Sequence, residues 1–449
     1  MRGREHQRPQ ASHQLPDVCG VDLSMSVAVS ATLAVNEALE ARRRTGAPVL
    51  PLGFGEAGLP VHPALRDALA AGGGCNSYGP VAGERSLREA AAGYWSRRGL
   101  ATDPDAVVAG PGSKPLLYAL LMSIGGDVAV AAPSWVSYAA QSRLSGHRPL
   151  FVPTERGQGG VPQPDLLAEA VRDARAQGRD VRAVIATVPD NPTGTVAGAD
   201  TVRRLAEVAR ALDLVVISDE IYRDLVHDPA ATPVRSPAEF APERTVVTSG
   251  LSKNLALGGW RLGVARLPDG PRGAHLRAEL LGIASELWSS PSGPVQRAGA
   301  LAFSEPSELI DHIGRSRRLH GTVARAVAER FTDAGATVAA PGAAFYLYPD
   351  FEPHRERLAA DFGVADGPDL GRMLLERYGL GALPAVEFGE CPEALRLRVA
   401  TSLLYGDTDA ERWAALAVDD PTSLPWIRAH LDRLEEVLSE VVEPVAAAV

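Results

Sequence analysis

The sequence predicts an α/β protein: a large domain on a mainly parallel sheet, followed by a smaller α+β domain. Three observations predict it. Between Val107 and Thr248, short β-branched runs alternate with stretches of helical periodicity, the pattern of a parallel sheet buried under helices on both faces. The polar and glycine-rich motifs fall where those runs end, the place where such sheets carry their ligands. Past about Ser304 the pattern changes to longer helical stretches flanking short strand-like pieces. At 449 residues the chain is long enough for both domains.

Taken in order, residues 1–17 are polar, rich in Arg, His and Gln, and lack the apolar core of a secretory signal. Residues 1–20 are expected to form a mobile arm, and 21–60 a segment packing on the small domain or on a dimer partner. The large domain is expected over 61–304. In it, Val107-Val108-Ala109 reads as a strand, Gly110-Pro111-Gly112 as a turn and 115–122 as a helix. Residues 128–132 and 181–188 are further strands. The helix over 200–212 has apolar Val202, Leu205, Val208 and Leu212 on one face. Residues 214–217 and 245–248 complete the expected strands. The small domain, 305–449, should hold helices over 306–331 and 370–378 and strand pieces at 337–339, 345–348 and 395–400. Ile427, Leu431, Leu434, Val437 and Leu438 predict a terminal helix over 425–442.

Composition excludes several classes. A net charge of −10 argues against nucleic-acid binding, which needs a basic face. The longest apolar run, 116–124, is cut by Gly125, Gly126 and Asp127, short of the ~18 residues a membrane span requires. Cys19, Cys75 and Cys391 are too few and too dispersed for a disulfide framework or a metal site. A reduced, cytoplasmic setting is expected.

Lys253 stands in Ser249-Gly250-Leu251-Ser252-Lys253-Asn254, just past the strand at 245–248. Desolvation or a nearby cation turns such a lysine into a nucleophile, and the small residues around it allow close backbone approach. Eight residues on, Arg261 lies in Gly258-Gly259-Trp260-Arg261-Leu262-Gly263, a rigid donor fork suited to a phosphate. Gly112-Ser113-Lys114-Pro115 opens a helix after a strand, where free N–H groups cradle anions. Asp219, in Ser218-Asp219-Glu220-Ile221-Tyr222, ends a strand and could hold a protonated ring nitrogen. Asp190-Asn191-Pro192-Thr193-Gly194 closes another. Each motif alone has a plain structural reading: a solvated lysine, a rim ion pair, a capped helix, a polar turn.

Together they resemble the class I/II aminotransferases of pyridoxal-5′-phosphate (PLP) fold type I. The resemblance runs from about Pro51 to Ser402. In family order it comprises Tyr78-Gly79-Pro80-Val81-Ala82-Gly83, Gly112-Ser113-Lys114, Pro133-Ser134-Trp135, Asn191-Pro192-Thr193-Gly194, Asp219-Glu220-Ile221-Tyr222, Ser252-Lys253 with Arg261, and Arg396-Leu397-Arg398-Val399-Ala400-Thr401-Ser402.

The resemblance implies that Lys253 carries PLP as a Schiff base and later shuttles the substrate's proton. Asp219 would hold the pyridinium, Asn191 and Tyr222 the ring hydroxyl, and Trp135 the ring face. Gly112, Ser113, Lys114, Ser252 and Arg261 would line the phosphate site, Ser113 and Lys114 chiefly through backbone N–H. Tyr78 would reach the neighbouring subunit's phosphate in a homodimer with shared active sites. Arg396 would clamp the substrate α-carboxylate, with Gly55 close by and with Trp135 and Asn191 also facing substrate. Arg398 is expected on the opposite face of its strand. The partners implied are small amino acids and keto acids, with no nucleic acid, membrane or metal.

The implied reaction is transfer of an amino group from an α-amino acid to a 2-keto acid. The alternative is β/γ-elimination or replacement on the same scaffold, for instance on an S-adenosylmethionine-like substrate. A regulator with an aminotransferase-like domain would need a DNA-binding module, for which the stretch before Pro51 is too short and too polar. The sequence departs from the family after Gly55-Glu56, where Ala57-Gly58-Leu59 replaces the usual Pro-Asp. Arg143 and Arg148 are expected to be solvated rather than to serve a dicarboxylate.

Overall fold

The computed structural model describes residues 30–442. The expected arm at 1–20, the first part of segment 21–60, and Cys19 lie outside the described residues. Seven strands form the central sheet: β1 (Val107–Gly110), β2 (Asp127–Ala132), β3 (Pro149–Pro153), β4 (Val181–Thr187), β5 (Val215–Asp219), β6 (Thr245–Gly250) and β7 (Gly263–Arg266). Their order is β1-β7-β6-β5-β4-β2-β3. Only β7 runs antiparallel, against β1 and β6.

The sheet is buried on both faces because its strands are apolar at both parities. Ala183 and Ile185 pack with Leu116, Leu120, Leu276 and Leu280 on one side. Val184 and Ala186 pack with Leu167, Val171, Val202 and Leu205 on the other. The helices Ser113–Ile124 and Ala199–Ala211 start and stop within two residues of the expected spans. Two strands escape a periodicity reading for physical reasons. β3 is bracketed by Pro149 and Pro153 and sits at the sheet edge, where proline's missing N–H is tolerated. β7 is four residues long, opens with glycine and closes with the buried Arg266.

The second core gathers Val323, Val327 and Phe331 of the helix Ser307–Asp333 with Ile427, Leu431, Leu434 and Leu438 of the terminal helix Pro425–Val442. They cover a three-stranded antiparallel sheet of β8 (Tyr346–Leu347), β9 (Leu383–Pro384) and β10 (Leu397–Ala400), ordered β9-β10-β8. The expected strand at 337–339 reduces to one bridge, Thr337 to Asp350, ahead of Ala340-Pro341-Gly342. The expected helix at 370–378 is Gly367–Met373 followed by a wider turn over Leu374–Tyr378. Leu50 and Leu52 join this core, and Leu50–Pro51 pairs with Leu380–Gly381. That anchor lays Gly53 to Glu56 across the carboxyl ends of the large sheet. No helix among the described residues is long and apolar enough to cross a membrane.

Candidate active site

A cavity of about 550 Å³ opens where the parallel strands end. One end is an acid. Asp219, the last residue of β5, is 3% exposed. Strand register sets Thr187 of β4 and Thr248 of β6 beside it. Thr248 Oγ1 donates to Asp219 Oδ1 at 3.2 Å, and Tyr138 donates its hydroxyl to Oδ2 at 2.8 Å. Tyr138 Oη also lies 2.9 Å from Thr187 Oγ1. Burial pushes the Asp219 carboxyl up to about 6, and the hydroxyl donors pull against that shift.

The other end is built for an anion. The helix Ser113–Ile124 starts against the cavity, and Ser113 and Lys114 line it, so its first N–H groups face inward. Gly112 has φ +100°, and a Cβ there would overlap the Arg261 guanidinium. Glycine is thus what lets Arg261 lie against this turn. Arg261 NH1 donates to Gly258 O at 2.8 Å. Ser252 lines the same end. Lys114 Nζ sits 5.0 Å from the Trp135 ring centre, and burial, then Arg261, holds its ammonium below the usual lysine range.

Lys253 lies between the two ends and donates Nζ to Gly55 O. Burial first, then the neighbouring Arg398, lowers its amine to about 8. Asn191 Nδ2 donates to Tyr222 Oη at 3.2 Å, while Asn191 Oδ1 is buried without a partner. A half-satisfied buried amide is costly unless something else completes it. Acid, amine and anion cradle stand in the sequence that a pyridine nitrogen, an aldehyde and a phosphate require. The residues therefore fit PLP.

Of the residues expected at the site, Gly55, Ser113, Lys114, Trp135, Asn191, Asp219, Tyr222, Ser252, Lys253 and Arg261 line this one cavity, with Gly112 behind Arg261. Tyr78 is apart from it, 92% exposed. Arg143 and Arg148 are outside, the latter 3.7 Å from Asp127.

Arg396 requires a correction. It does not reach the cavity: Nε donates to Asp350 Oδ2 at 2.8 Å and NH1 to Glu390 Oε1 at 2.6 Å, so two carboxylates already neutralise it. Arg398 lines the cavity instead, 2% exposed. It donates to Gly53 O, leaves Nε without a partner, and has no carboxylate beside it among the described residues. The expectation of opposite faces fails because residues two apart along a strand share a face. Both arginines accordingly reach the same turn, Arg396 at Glu390 and Arg398 over the Phe388 ring. Arg398 lies one step further inward.

Sequence reading also missed Tyr138, Thr187, Thr248 and Tyr346, together with Ser30, Thr32 and Leu33 at the cavity rim. Tyr138 stands one helical turn after Trp135, Thr187 ends β4 and Thr248 stands two residues before the end of β6, both in register with Asp219, so helical spacing carries the signal for the tyrosine and strand register for the threonines. Tyr138→Phe should weaken PLP binding to the apoprotein about tenfold, the worth of one hydrogen bond to a buried charge; unchanged affinity by fluorescence quenching would rule out the contact.

Comparison with known proteins bears on the same residues. The family Aminotransferase class I and II matches residues 48–403. A probable aspartate/prephenate aminotransferase from Thermus aquaticus is 32% identical over 370 residues, 81% of this chain and 90% of that protein. An aspartate aminotransferase from Geobacillus stearothermophilus is 31% identical over 398 residues, covering 86% and 96%. The solved aspartate aminotransferase from Thermus thermophilus with maleate superposes with a TM-score of 0.76 at 27% identity, over 91% of this chain and 97% of that one. These relatives do not favour the elimination or replacement reading. Charge split across the cavity, fold and relatives converge: the chain belongs to the class I and II aminotransferases and is a PLP-dependent aminotransferase.

Proposed function

We propose that the enzyme takes an amino donor with a second carboxylate, aspartate first, and that the residues above act as follows. Arg398 clamps the α-carboxylate. Trp135 presents its ring face to the cofactor, and Tyr222 and Asn191 hold hydrogen bonds at the ring oxygen. Asp219 keeps a proton at the ring nitrogen, with Tyr138 and Thr248 fixing its carboxylate. The Ser113 and Lys114 amides, Ser252 and Arg261 bind the phosphate. When bound, PLP supplies an electron-poor ring that stabilises negative charge on the substrate carbon. Lys253 takes the proton from that carbon and returns it on the other side of the transfer.

The observation that carries the dicarboxylate reading is a surplus of positive charge. Lys114, Lys253, Arg261 and Arg398 line the cavity against Glu56 and Asp219. The phosphate, at nearly two negative charges, takes Arg261 and the start of the helix Ser113–Ile124, the α-carboxylate takes Arg398, and Lys253 is the amine. The Lys114 ammonium remains, partly desolvated, with no carboxylate partner among the described residues, in a cavity that Ser30 and Thr32 also line. The names of the relatives, aspartate and aspartate/prephenate aminotransferase, support the same donor. Lys114→Ala should lower kcat/KM for aspartate about tenfold or more, the range for a lost charge-assisted hydrogen bond, while alanine as donor changes little. Equal losses for both donors would sink the assignment.

We further propose a cytoplasmic homodimer in which Tyr78 completes the phosphate site of the partner subunit, with the two domains of each subunit dividing near residue 304. The exposed Tyr78 ring, beside the Gly79 to Ser290 contact at 3.3 Å, supports it. Sedimentation should give a dimer, and a fully active monomer would refute the shared site.

A further inference from the structure

Tyr222 and Lys253 enter the cavity on separate loops, one after β5 and one after β6. The lysine's loop is closed at its base by Leu257 N donating to Leu251 O at 3.0 Å. Inside it, Ala256 holds a left-handed φ of +55°, which alanine takes only under constraint. The buried Leu255 and Leu257 supply part of that constraint. The polar part comes from Asn254, 4% exposed, whose Nδ2 donates to Asp224 Oδ2 at 3.0 Å. Its Oδ1 is buried without a partner, so among the described residues this one bond offsets the burial of the whole amide.

Asp224 sits two residues past Tyr222, in the turn Arg223–Leu225. Its carboxylate accepts from Asn254 Nδ2 and Tyr94 Oη, both 3.0 Å from Oδ2, and from Arg98 NH2, 2.8 Å from Oδ1. Arg98 lies 3.6 Å above the Tyr94 ring centre and also donates to both carboxylate oxygens of Glu305. Asp224 is thereby fixed to the helix Arg85–Arg97 and to the end of the helix Gly293–Ser304. Tyr94, Arg98, Asp224 and Asn254 do not line the cavity. They form a brace behind it that joins the tyrosine's loop to the lysine's.

Resting on the reading of Lys253 as the group that takes the substrate's proton, we propose that Asp224 and Asn254 are positioning residues that aim its amine at the substrate carbon. Side chains at adjacent positions project in different directions, so pinning residue 254 away from the cavity turns residue 253 into it. While Lys253 is joined to the cofactor, that covalent bond holds the loop by itself. Once the amine is free, Nζ stands at the end of a flexible four-carbon stem, and the loop's own anchor decides where it points. Proton transfer tolerates little error in that aim, because the two heavy atoms must come within about 3 Å. The brace therefore acts on the proton step and leaves binding of cofactor and substrate alone.

The experiment is a single turnover of the holoenzyme with saturating aspartate, carrying protium or deuterium at the α-carbon and followed by visible absorbance. Asn254→Ala should slow it about tenfold, the scale of one hydrogen bond to a charged group, with an isotope effect no smaller than wild type's. Affinities for PLP and for maleate, an unreactive dicarboxylate, should stay near wild type. Asp224→Asn keeps the carboxylate's shape but sets an amide N–H where Asn254 needs an acceptor, and should slow turnover to the same degree. In the double variant the rate should fall no further, whereas its melting temperature should lie below that of Asn254→Ala, because Arg98 also loses its charged partner. A wild-type rate in either single variant, losses that multiply in the double variant, or a loss that appears in PLP or maleate affinity instead would each overturn the brace. Lys253→Ala reports separately on the reading beneath it. An isotope-sensitive turnover surviving there removes the lysine's role and the brace with it; a silent Lys253→Ala beside an Asn254→Ala at the wild-type rate removes the brace alone.

Discussion

Lys253→Ala is expected to abolish the visible absorbance of the holoenzyme and to cut turnover by at least about 10⁴-fold, more than general acid–base catalysis alone contributes. The size follows from the lysine's two duties, holding the cofactor and moving the proton at the substrate carbon. Neither is open to an ordinary lysine: at its usual pKa a side chain near neutral pH is almost wholly protonated, and an ammonium neither attacks nor accepts. Burial between Arg398, Lys114 and Arg261 lowers this amine to about 8, which leaves roughly a tenth of it neutral at pH 7. The sign of the pH effect is fixed. The reactive form is the unprotonated one, so PLP loading onto wild-type apoprotein should accelerate as pH rises toward 8 and level off above it. A loading rate that is flat from pH 6 to 9, or a visible band surviving in Lys253→Ala, would remove Lys253 from its role.

That lysine was legible in the sequence because its neighbours are punctuation. Gly250, Ser252, Gly258, Gly259 and Gly263 mark turns, turns mark strand ends, and strand ends are where a doubly covered parallel sheet leaves room for a ligand. The same logic exposed Asp219, Asn191 and the Gly112 turn, and short continuous β-branched runs marked β1, β2, β4, β5 and β6 within a few residues. What stayed hidden was whatever depends on two segments far apart in the chain. Tyr346 matters because Gly55, 291 residues away, brings a carbonyl to it, and no local pattern encodes that meeting. β3 and β7 were lost to proline and to brevity. The rim residues Ser30, Thr32 and Leu33 carry no motif; they line the cavity from the start of the helix Ala31–Arg44, ahead of the Leu50 to Leu380 pairing.

Arg396, just ahead of β10, and Arg398 within it differ most between the sequence expectation and the structure. Arg398→Gln is expected to lower kcat/KM for amino acids by about 10²- to 10³-fold, since removing one member of a buried, hydrogen-bonded charge pair costs on the order of 2–5 kcal/mol. Arg396→Gln should stay within about fivefold, because a part-exposed ion pair contributes about 0–1 kcal/mol and touches no substrate; its side chain is 41% exposed, against 2% for Arg398 as a whole. Its effect should fall on stability instead, through the freed Asp350 and Glu390. Loss of activity alone does not prove a clamp, so the substrate supplies the second half of the test. An amine lacking the α-carboxylate has nothing for Arg398 to hold, and wild type and Arg398→Gln should turn it over at similar low rates. If Arg398→Gln slows that amine as severely as it slows aspartate, the guanidinium serves the fold rather than the substrate. If Arg396→Gln proves the damaging change, the inward step from 396 to 398 has been misread.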